Sequence, residues 1–216
     1  MKLFYFIKYK LRLAIIKPLR YRTLISEIAK QKSNSILEVG VFNGRNSNRM
    51  IETAKSFHKA STINYYGFDL FEMLTEDELK EEFSKRPLSK NSIQNKLNPT
   101  GANINLYQGY SQKTLPKFVS DNPNINIDFI FIDGGHSIDT VKSDWENLTK
   151  IITKDTVIIF DDYYENTEKE ILGKGCNELI DALDRNKYQV ELLNPINSFQ
   201  HDWGVLNVRF AKVQLK

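Results

Sequence analysis

The chain has 216 residues, of which 41% are hydrophobic and 26% are charged, and this length suits one domain with a full core rather than two domains. The apolar content is too high for a disordered chain, and the apolar residues are too dispersed for a bundle of membrane helices. The single cysteine, Cys176, excludes an internal disulfide framework and a multi-cysteine metal site, and it suits a reducing, cytoplasmic setting.

Basic charge is concentrated at the N-terminus. Residues 1–22 contain no acidic residue, and their basic residues are Lys2, Lys8, Lys10, Arg12, Lys17, Arg20 and Arg22. Because the whole chain has 30 basic and 27 acidic residues, the rest of the chain is net acidic. A net acidic body without a basic stripe argues against nucleic acid as a partner.

Two helices are predicted ahead of the first strand. The apolar residues with helical spacing are Leu3, Ile7, Leu11, Ala14 and Ile15. Pro18 should end this helix, and a second helix follows from Tyr21 to about Lys32. Residues 1–32 are thus predicted to form a basic amphipathic arm. Two interpretations stay open: residues 1–22 rest on anionic lipid as an interfacial helix, or the arm packs on the main domain or on a second subunit of a homo-oligomer.

Strands and helices alternate through the rest of the chain. Strands are predicted at 35–40, 65–71, 104–109, 127–133 and 156–162, and helices at 46–57, 75–86, 111–120, 139–152 and 176–185. Thr75 and Glu78 form a capping box, and residues 87–101 are predicted to be irregular. The last strands, 188–193 and 205–213, leave no room for a helix and should pair antiparallel. Residues 33–216 are therefore predicted to be one α/β domain, Rossmann-like and doubly wound, with a seven-stranded, mostly parallel sheet and a C-terminal antiparallel hairpin.

Ligands of such sheets bind beyond the carboxyl ends of the strands. The first strand runs into a turn with the sequence Glu38-Val39-Gly40-Val41-Phe42-Asn43-Gly44. Phe42 stands where a dinucleotide site has glycine, which favours a nucleoside without phosphates. Glu38 is predicted to be buried, and either an ammonium group of a ligand or backbone amides of the turn would satisfy it. Asp69 ends the second strand, where it either accepts hydrogen bonds from ribose hydroxyls or caps the following turn.

Three carboxylates are predicted to converge where the fourth and fifth strands end, namely Asp133, Asp161 and Asp162. Converging carboxylates repel one another, and a divalent cation such as Mg²⁺ removes that penalty. His136 follows Asp133 by three residues. It is either a general base that takes the proton of a hydroxyl or a cap of the following helix. His201, before the last strand, either lines an acceptor pocket or lies on the surface.

Four segments, in order along residues 35–185, resemble class I S-adenosylmethionine-dependent methyltransferases. The Glu38-x-Gly40-x-x-x-Gly44 turn with Asp69 resembles motifs I and II of that class. Two segments resemble the macrocin O-methyltransferase (TylF-like) group: GYSQKTLP at 109–116, and IIFDDYY at 158–164 with Gly175-Cys176 downstream. The segment IDFIFIDGGHS at 127–137 resembles both that group and the D-G-x-H form of related small-molecule methyltransferases.

The resemblance implies S-adenosylmethionine as the methyl donor. The residues that it implies for binding the donor are Glu38, Gly40, Gly44, Asp69, Gly109, Tyr110, Ser111 and Asp133. It further implies Mg²⁺ on Asp133, Asp161 and Asp162, with Asp133 and His136 in the catalytic step. The expected reaction is methylation of a hydroxyl on a sugar or glycosylated small molecule. The alternatives are a catechol-type O-methyltransferase and a cofactor-binding module without catalysis.

Overall fold

The computed structural model describes residues 2–81, 86–166 and 169–216. The α-helices in these ranges are α1 (Lys2–Ile15), α2 (Arg20–Gln31), α3 (Arg45–Ala54), α4 (Glu76–Glu81), α5 (Lys90–Leu97), α6 (Ser111–Asp121), α7 (Ile138–Leu148) and α8 (Asn177–Ala182). The strands are β1 (Ser35–Val39), β2 (Asn64–Asp69), β3 (Asn103–Gln108), β4 (Phe129–Ile132), β5 (Val157–Tyr164), β6 (Tyr188–His201) and β7 (Gly204–Leu215). Within the described residues, no helix is both long enough and apolar enough to cross a bilayer.

The strands form one sheet in the order β3-β2-β1-β4-β5-β7-β6. The first five are parallel, and β7 pairs antiparallel with both β5 and β6. This topology confirms the predicted fold class, including the C-terminal hairpin. The hairpin is longer than predicted, since β6 continues from Leu193 to His201. The sequence hides this extension because its residues alternate between exposed and half-buried positions and contain few apolar side chains.

Both faces of the sheet are covered by helices. In β4, Phe129 and Phe131 join the apolar cluster on one face, whereas Ile130 and Ile132 join the cluster on the other. Successive side chains of a strand point to opposite faces, so a strand buried on both sides reads as a continuous apolar run. This explains why the run that ends at Asp133 predicts a central strand.

The helix α2, placed by the sequence in an arm, belongs to one of these covering layers. Leu24, Ile25 and Ile28 are fully buried in the same cluster as Phe129 and Phe131. The helix also contacts the hairpin, because the hydroxyl of Thr23 donates a hydrogen bond to the carbonyl of Asn194.

The prediction of an irregular segment at 87–101 was wrong. This segment contains α5 and a short 3-10 helix, Asn98–Thr100. Ser89 caps α5 by accepting a hydrogen bond from the amide of Ser92, and Ile93 and Leu97 are buried one turn apart. Two apolar positions among Ser, Asn and Lys residues are too few to show a helical period, so the helix depends on its cap and its tertiary contacts.

The capping box of Thr75 and Glu78 forms as predicted. The helix that it starts, α4, is described as far as Glu81. Most of the remainder of the helix predicted at 75–86, residues 82–85, lies outside the described residues.

Candidate active site at the carboxyl edge of the sheet

The predicted strand ends lie side by side along one edge of the sheet. The amide of Gly40 donates to the carbonyl of Phe68 over 2.9 Å, and the amide of Asp133 donates to Val39 over 2.8 Å. On the side of β2 that faces away from β1, the amide of Gly109 donates to the carbonyl of Asp69 over 3.0 Å. The turns after four neighbouring strands therefore lie side by side at the carboxyl edge of the sheet, where ligands of such sheets bind.

The turn between β1 and α3 needs its glycines. Gly40 has φ +90°, and a Cβ there would lie 1.9 Å from the carbonyl oxygen of Asp133. Only glycine lets this turn pass so close to the end of β4. Gly44, with φ +65°, leads into α3. Phe42 also adopts a positive φ, +52°. Its side chain is partly exposed and stands where a dinucleotide site has a glycine.

Asp69 fastens this turn. Its Oδ2 accepts hydrogen bonds from the amides of Val41 and Phe42, each over 2.8 Å, and its Oδ1 accepts from the amide of Phe71 over 2.6 Å. Burial raises the pKa of Asp69, and these amides oppose the rise. The bond to Phe71 is the predicted cap of the following turn. The bonds to the β1–α3 turn were not predicted, because a sequence does not show which distant amides face a carboxylate.

Glu38 is buried and bonded to two hydroxyl groups. Its Oε2 accepts from the hydroxyls of Ser47 and Tyr65. Burial raises the pKa of Glu38 to about 8, despite these two donors. A ligand ammonium and the turn amides were the expected partners, whereas the partners here come from α3 and from the neighbouring strand β2.

Asp161 is bonded to two residues of α2. The Nε of Arg20 lies 2.9 Å from its Oδ1 and the Nη2 lies 3.0 Å from its Oδ2, while the hydroxyl of Tyr21 donates to Oδ2 over 3.2 Å. The side chains of Arg20 and Asp161 are 9% and 1% exposed. Both oxygens of Asp161 are therefore engaged, and the predicted set of three open aspartates is reduced to Asp133 and Asp162.

The described part of the chain holds no group of three or more His, Cys, Asp or Glu side chains arranged to bind a metal ion. Arg20 and Tyr21 are members of the site that sequence reasoning missed. A signal was present, since Arg20 lies one and two turns before Leu24 and Ile28, on the face of α2 that is buried. A charged residue on a buried helical face needs a buried partner of opposite sign.

His136 pairs with Asp162 beside Asp133. The Nε2 of His136 lies 3.0 Å from the Oδ2 of Asp162, and both side chains remain about one-fifth exposed. Burial alone would raise the pKa of Asp162, but the charge and hydrogen bond of His136 lower it below its ordinary value. Burial and the charges of Asp161 and Asp162 raise the pKa of Asp133 well above its ordinary value. The structure thus brings together a histidine oriented by a carboxylate and a second carboxyl group that resists ionisation.

The backbone of the C-terminal part of β5 has an irregular conformation at this pair. The pairing of β5 with β7 shifts register between Phe160 and Tyr163, and Asp162 in this bulge has φ +59°. The amide of Gly175 donates to the carbonyl of His136 over 2.8 Å, and the amide of Cys176 donates to that of Asp162 over 3.1 Å. A Cβ on Gly175 would lie 2.5 Å from the Asp162 carbonyl oxygen. The amides of Gly175 and Cys176 therefore hold the backbone of His136 and of Asp162 in place.

The remaining candidates lie at the two ends of this edge. Gly109 has φ +133°, and Tyr110, 42% exposed, donates its hydroxyl to Oε1 of Glu78. Ser111 begins α6. His201 is exposed at the hairpin end and stacks on Trp203, with 4.7 Å between ring centroids, so it lies on the surface.

A family model described as a methyltransferase domain (methyltransferase family 24) matches residues 37–163. The chain belongs to this methyltransferase family. The match runs from β1 to the Asp161-Asp162 pair and so includes the glycine turn, Asp69 and His136. A curated relative, the uncharacterized protein R132 of Acanthamoeba polyphaga mimivirus, is 24% identical over 168 residues, which are 78% of this chain and 69% of that protein.

Solved methyltransferase structures share the fold of this chain. The O-methyltransferase from Bacillus cereus, in complex with S-adenosylhomocysteine (SAH), aligns with a TM-score of 0.60 and 17% identity over 92% of this chain and 82% of that chain. CalS11, a TDP-rhamnose 3′-O-methyltransferase of calicheamicin biosynthesis, aligns with a TM-score of 0.59 and 16% identity over 92% of this chain and 83% of that chain. At this identity the likeness concerns the fold.

Proposed function

We propose that this methyltransferase moves a methyl group from S-adenosylmethionine to a hydroxyl group of a small molecule, a sugar or glycosylated metabolite, with the assistance of a divalent cation. The observation that carries the proposal is the His136–Asp162 pair, which lies beside Asp133 at the edge where the glycine turn ends β1. Methyl transfer to nitrogen seldom needs such a pair, whereas a sugar hydroxyl is a poor nucleophile near neutral pH and benefits from a base.

The glycine turn fits a nucleoside donor without phosphates. Phe42 keeps a side chain where a pyrophosphate would need bare backbone, and Gly40 and Gly44 bring the turn against the end of β4. In this proposal, Asp69 holds the turn and has room at Oδ1 for at most one further hydrogen bond, from a ribose hydroxyl, while the Gly109–Ser111 segment borders the adenine. S-adenosylmethionine, when bound, supplies a methyl group on a sulfonium that is its own leaving group. The chain's task is to align that group with the acceptor.

Two carboxylates fit a divalent cation. Mg²⁺ commonly binds one or two protein carboxylates and keeps several water ligands, so Asp133 and Asp162 suffice as donors. Burial and then the charges of Asp161 and Asp162 raise the pKa of Asp133, and a cation bound beside it would oppose that rise. Asp161 is not among the proposed ligands, because Arg20 and Tyr21 engage both of its oxygens. A cation held there would supply Lewis-acid polarisation of the acceptor hydroxyl.

His136 is proposed as the general base. Its imidazole takes the proton of the acceptor hydroxyl as the oxygen bonds to the methyl carbon and the bond from that carbon to sulfur breaks. Asp162 fixes the orientation of the ring and stabilises the imidazolium that forms. The sugar acceptor is supported by the likeness to the TDP-rhamnose 3′-O-methyltransferase. The alternative of a catechol acceptor is an outcome of the test below.

Calorimetry and a turnover panel test the proposal. The full-length protein should bind SAH in preference to a dinucleotide. It should methylate nucleotide sugars or glycosides with a rate that EDTA lowers and added Mg²⁺ restores. Faster methylation of catechols would replace the proposed acceptor. SAH binding without turnover on any hydroxyl compound would refute the transferase proposal.

A further inference from the structure

The helix α1 has apolar residues on two opposite sides. On one side Tyr9 is buried against the body of the protein, and the hydroxyl of Ser56 in the turn after α3 donates to the carbonyl of Tyr5. The other side carries large apolar residues in contact with solvent: Phe4, Ile7, Leu11 and Ile15, which are 57%, 50%, 64% and 78% exposed. We call these four residues the outer stripe.

The outer stripe is continuous. Its members are spaced by three, four and four residues, so they fall within an arc of about 80° around the helix axis at 100° per residue. Leu19, which follows the helix, is also 40% exposed. Scattered exposed apolar residues need no explanation, but a contiguous row on one helix face marks a surface that something covers.

Positive charge borders this stripe on both sides. Lys8 and Lys10 are exposed and flank the stripe in opposite directions around the helix. The ammonium group of Lys8 lies 4.2 Å from the ring centroid of Phe4, and exposed Lys17 follows the end of the helix. Residues 1–22 contain no acidic residue, so this segment is net positive.

We propose that the outer stripe docks the protein on an anionic lipid surface, with α1 lying parallel to the membrane. Apolar side chains flanked by lysines are the pattern of an interfacial helix, because the apolar row enters the headgroup region while the lysines meet anionic headgroups. A second copy of the chain satisfies the pattern less well. A two-fold contact through the same stripe would bring lysine rows of both copies together, which is repulsive.

Docking would also orient the proposed active site. Residues 16–19 alone separate α1 from Arg20, whose guanidinium binds Asp161 at the carboxyl edge of the sheet. A membrane-bound α1 would therefore hold this edge at a fixed orientation to the lipid surface. The docking proposal does not depend on the proposed acceptor and stands or falls by lipid binding.

Vesicle co-sedimentation of the full chain tests the proposal. The protein should pellet with phosphatidylcholine vesicles that contain phosphatidylglycerol, and much less with phosphatidylcholine alone or at high salt. The double variant Leu11→Asp/Ile15→Asp should lose at least about tenfold in partitioning, because two charges would enter the apolar face. Lys8→Ser should lose roughly fivefold, since each lysine near an anionic surface contributes to binding by about that factor.

Leu172→Asp is the matched control, because Leu172 is 67% exposed and lies outside α1; it should keep wild-type partitioning. Cooperative thermal unfolding shows that each variant is folded. Absence of wild-type binding to the anionic vesicles would overturn the proposal. It would also be overturned if sedimentation analysis showed a dimer that Leu11→Asp/Ile15→Asp converts to monomer, because the stripe would then be covered by a second copy.

Discussion

Arg20 and Asp161 form a two-point ion pair although they are 141 residues apart in the chain. The guanidinium also lies against the rings of Tyr21 and Phe199, with 4.7 Å and 5.4 Å to their centroids. Its Nη1 is buried and donates no hydrogen bond to any of the described residues. The pair therefore joins α2 to the end of β5 through two charges that neither side could bury alone.

Replacing one partner should be costly. Arg20→Met leaves the Asp161 carboxylate buried without its cation, and we expect a loss of about 3–5 kcal/mol in the free energy of unfolding. Urea unfolding measures this loss, and the double variant Arg20→Met/Asp161→Leu should recover much of it. As a control, Lys117→Met breaks the exposed pair with Asp121 and should cost less than about 1 kcal/mol. Equal losses at the two sites would show that the buried pair has no special role.

Asp162→Asn should abolish the stimulation of turnover by Mg²⁺. Asparagine keeps the shape of the side chain and tolerates the positive φ of this position, so the fold should be retained. The affinity for SAH should stay within about tenfold of wild type, because the affected charge serves the acceptor side. Turnover titrations with EDTA and Mg²⁺, with Asp139→Asn on the exposed start of α7 as control, measure the effect. Unchanged cation dependence would remove the cation from the proposal.

His136→Ala should lower turnover by about 10²–10⁴-fold if the imidazole is the base. The side chain is partly exposed, so thermal stability should change little. His201→Ala, at the exposed end of the hairpin, should keep the wild-type rate. A rate for His136→Ala close to wild type would refute the role of a base, and the alternative of a helix cap is already wrong, because Ser137 caps α7.

Asp69→Ala should weaken SAH binding, because it removes the acceptor of the amide bonds that fix the glycine turn. Asp128 provides a matched control. Its carboxylate accepts amides of Asn34 and Ser35 at the opposite end of β1. Asp128→Ala should therefore lower stability without changing the SAH dissociation constant. Calorimetry measures SAH binding by the two variants. Equal SAH affinities of Asp69→Ala and Asp128→Ala would argue against a role of Asp69 at the donor site.

Glu38 should make stability depend on pH. Burial raises its pKa from 4.5 to about 8, so between these values the folded protein holds a proton that the unfolded chain releases. The Glu38 contribution to the free energy of unfolding should then fall as pH rises through this range. Glu38→Gln mimics the protonated form, and its stability relative to wild type should increase with pH. Urea unfolding of both proteins at the two ends of this pH range tests the sign of the effect. A stability difference between Glu38→Gln and wild type that does not change with pH would contradict the prediction.

How far the sequence predicts the structure differs between elements. The mostly parallel sheet and the meeting of Gly40, Asp69, Asp133 and Asp162 at one edge follow from the alternation of apolar runs with helical segments. The helix α5 was missed because a Ser-, Asn- and Lys-rich segment has only two buried positions. The sequence pointed to the residues at the strand ends, but it did not show their partners, among them Arg20 and Tyr21.

The sequence by itself determined the alternation of strands and helices and the presence of glycine and aspartate near the strand ends, because these depend on local periodicity and residue type. Tertiary structure alone decided that Arg20 engages Asp161 and that Ser47 and Tyr65 satisfy Glu38. It also decided that the carboxylate of Asp162 pairs with His136. Such pairings join residues far apart in the chain, and they are set by how the helices pack on the sheet, which no local pattern encodes.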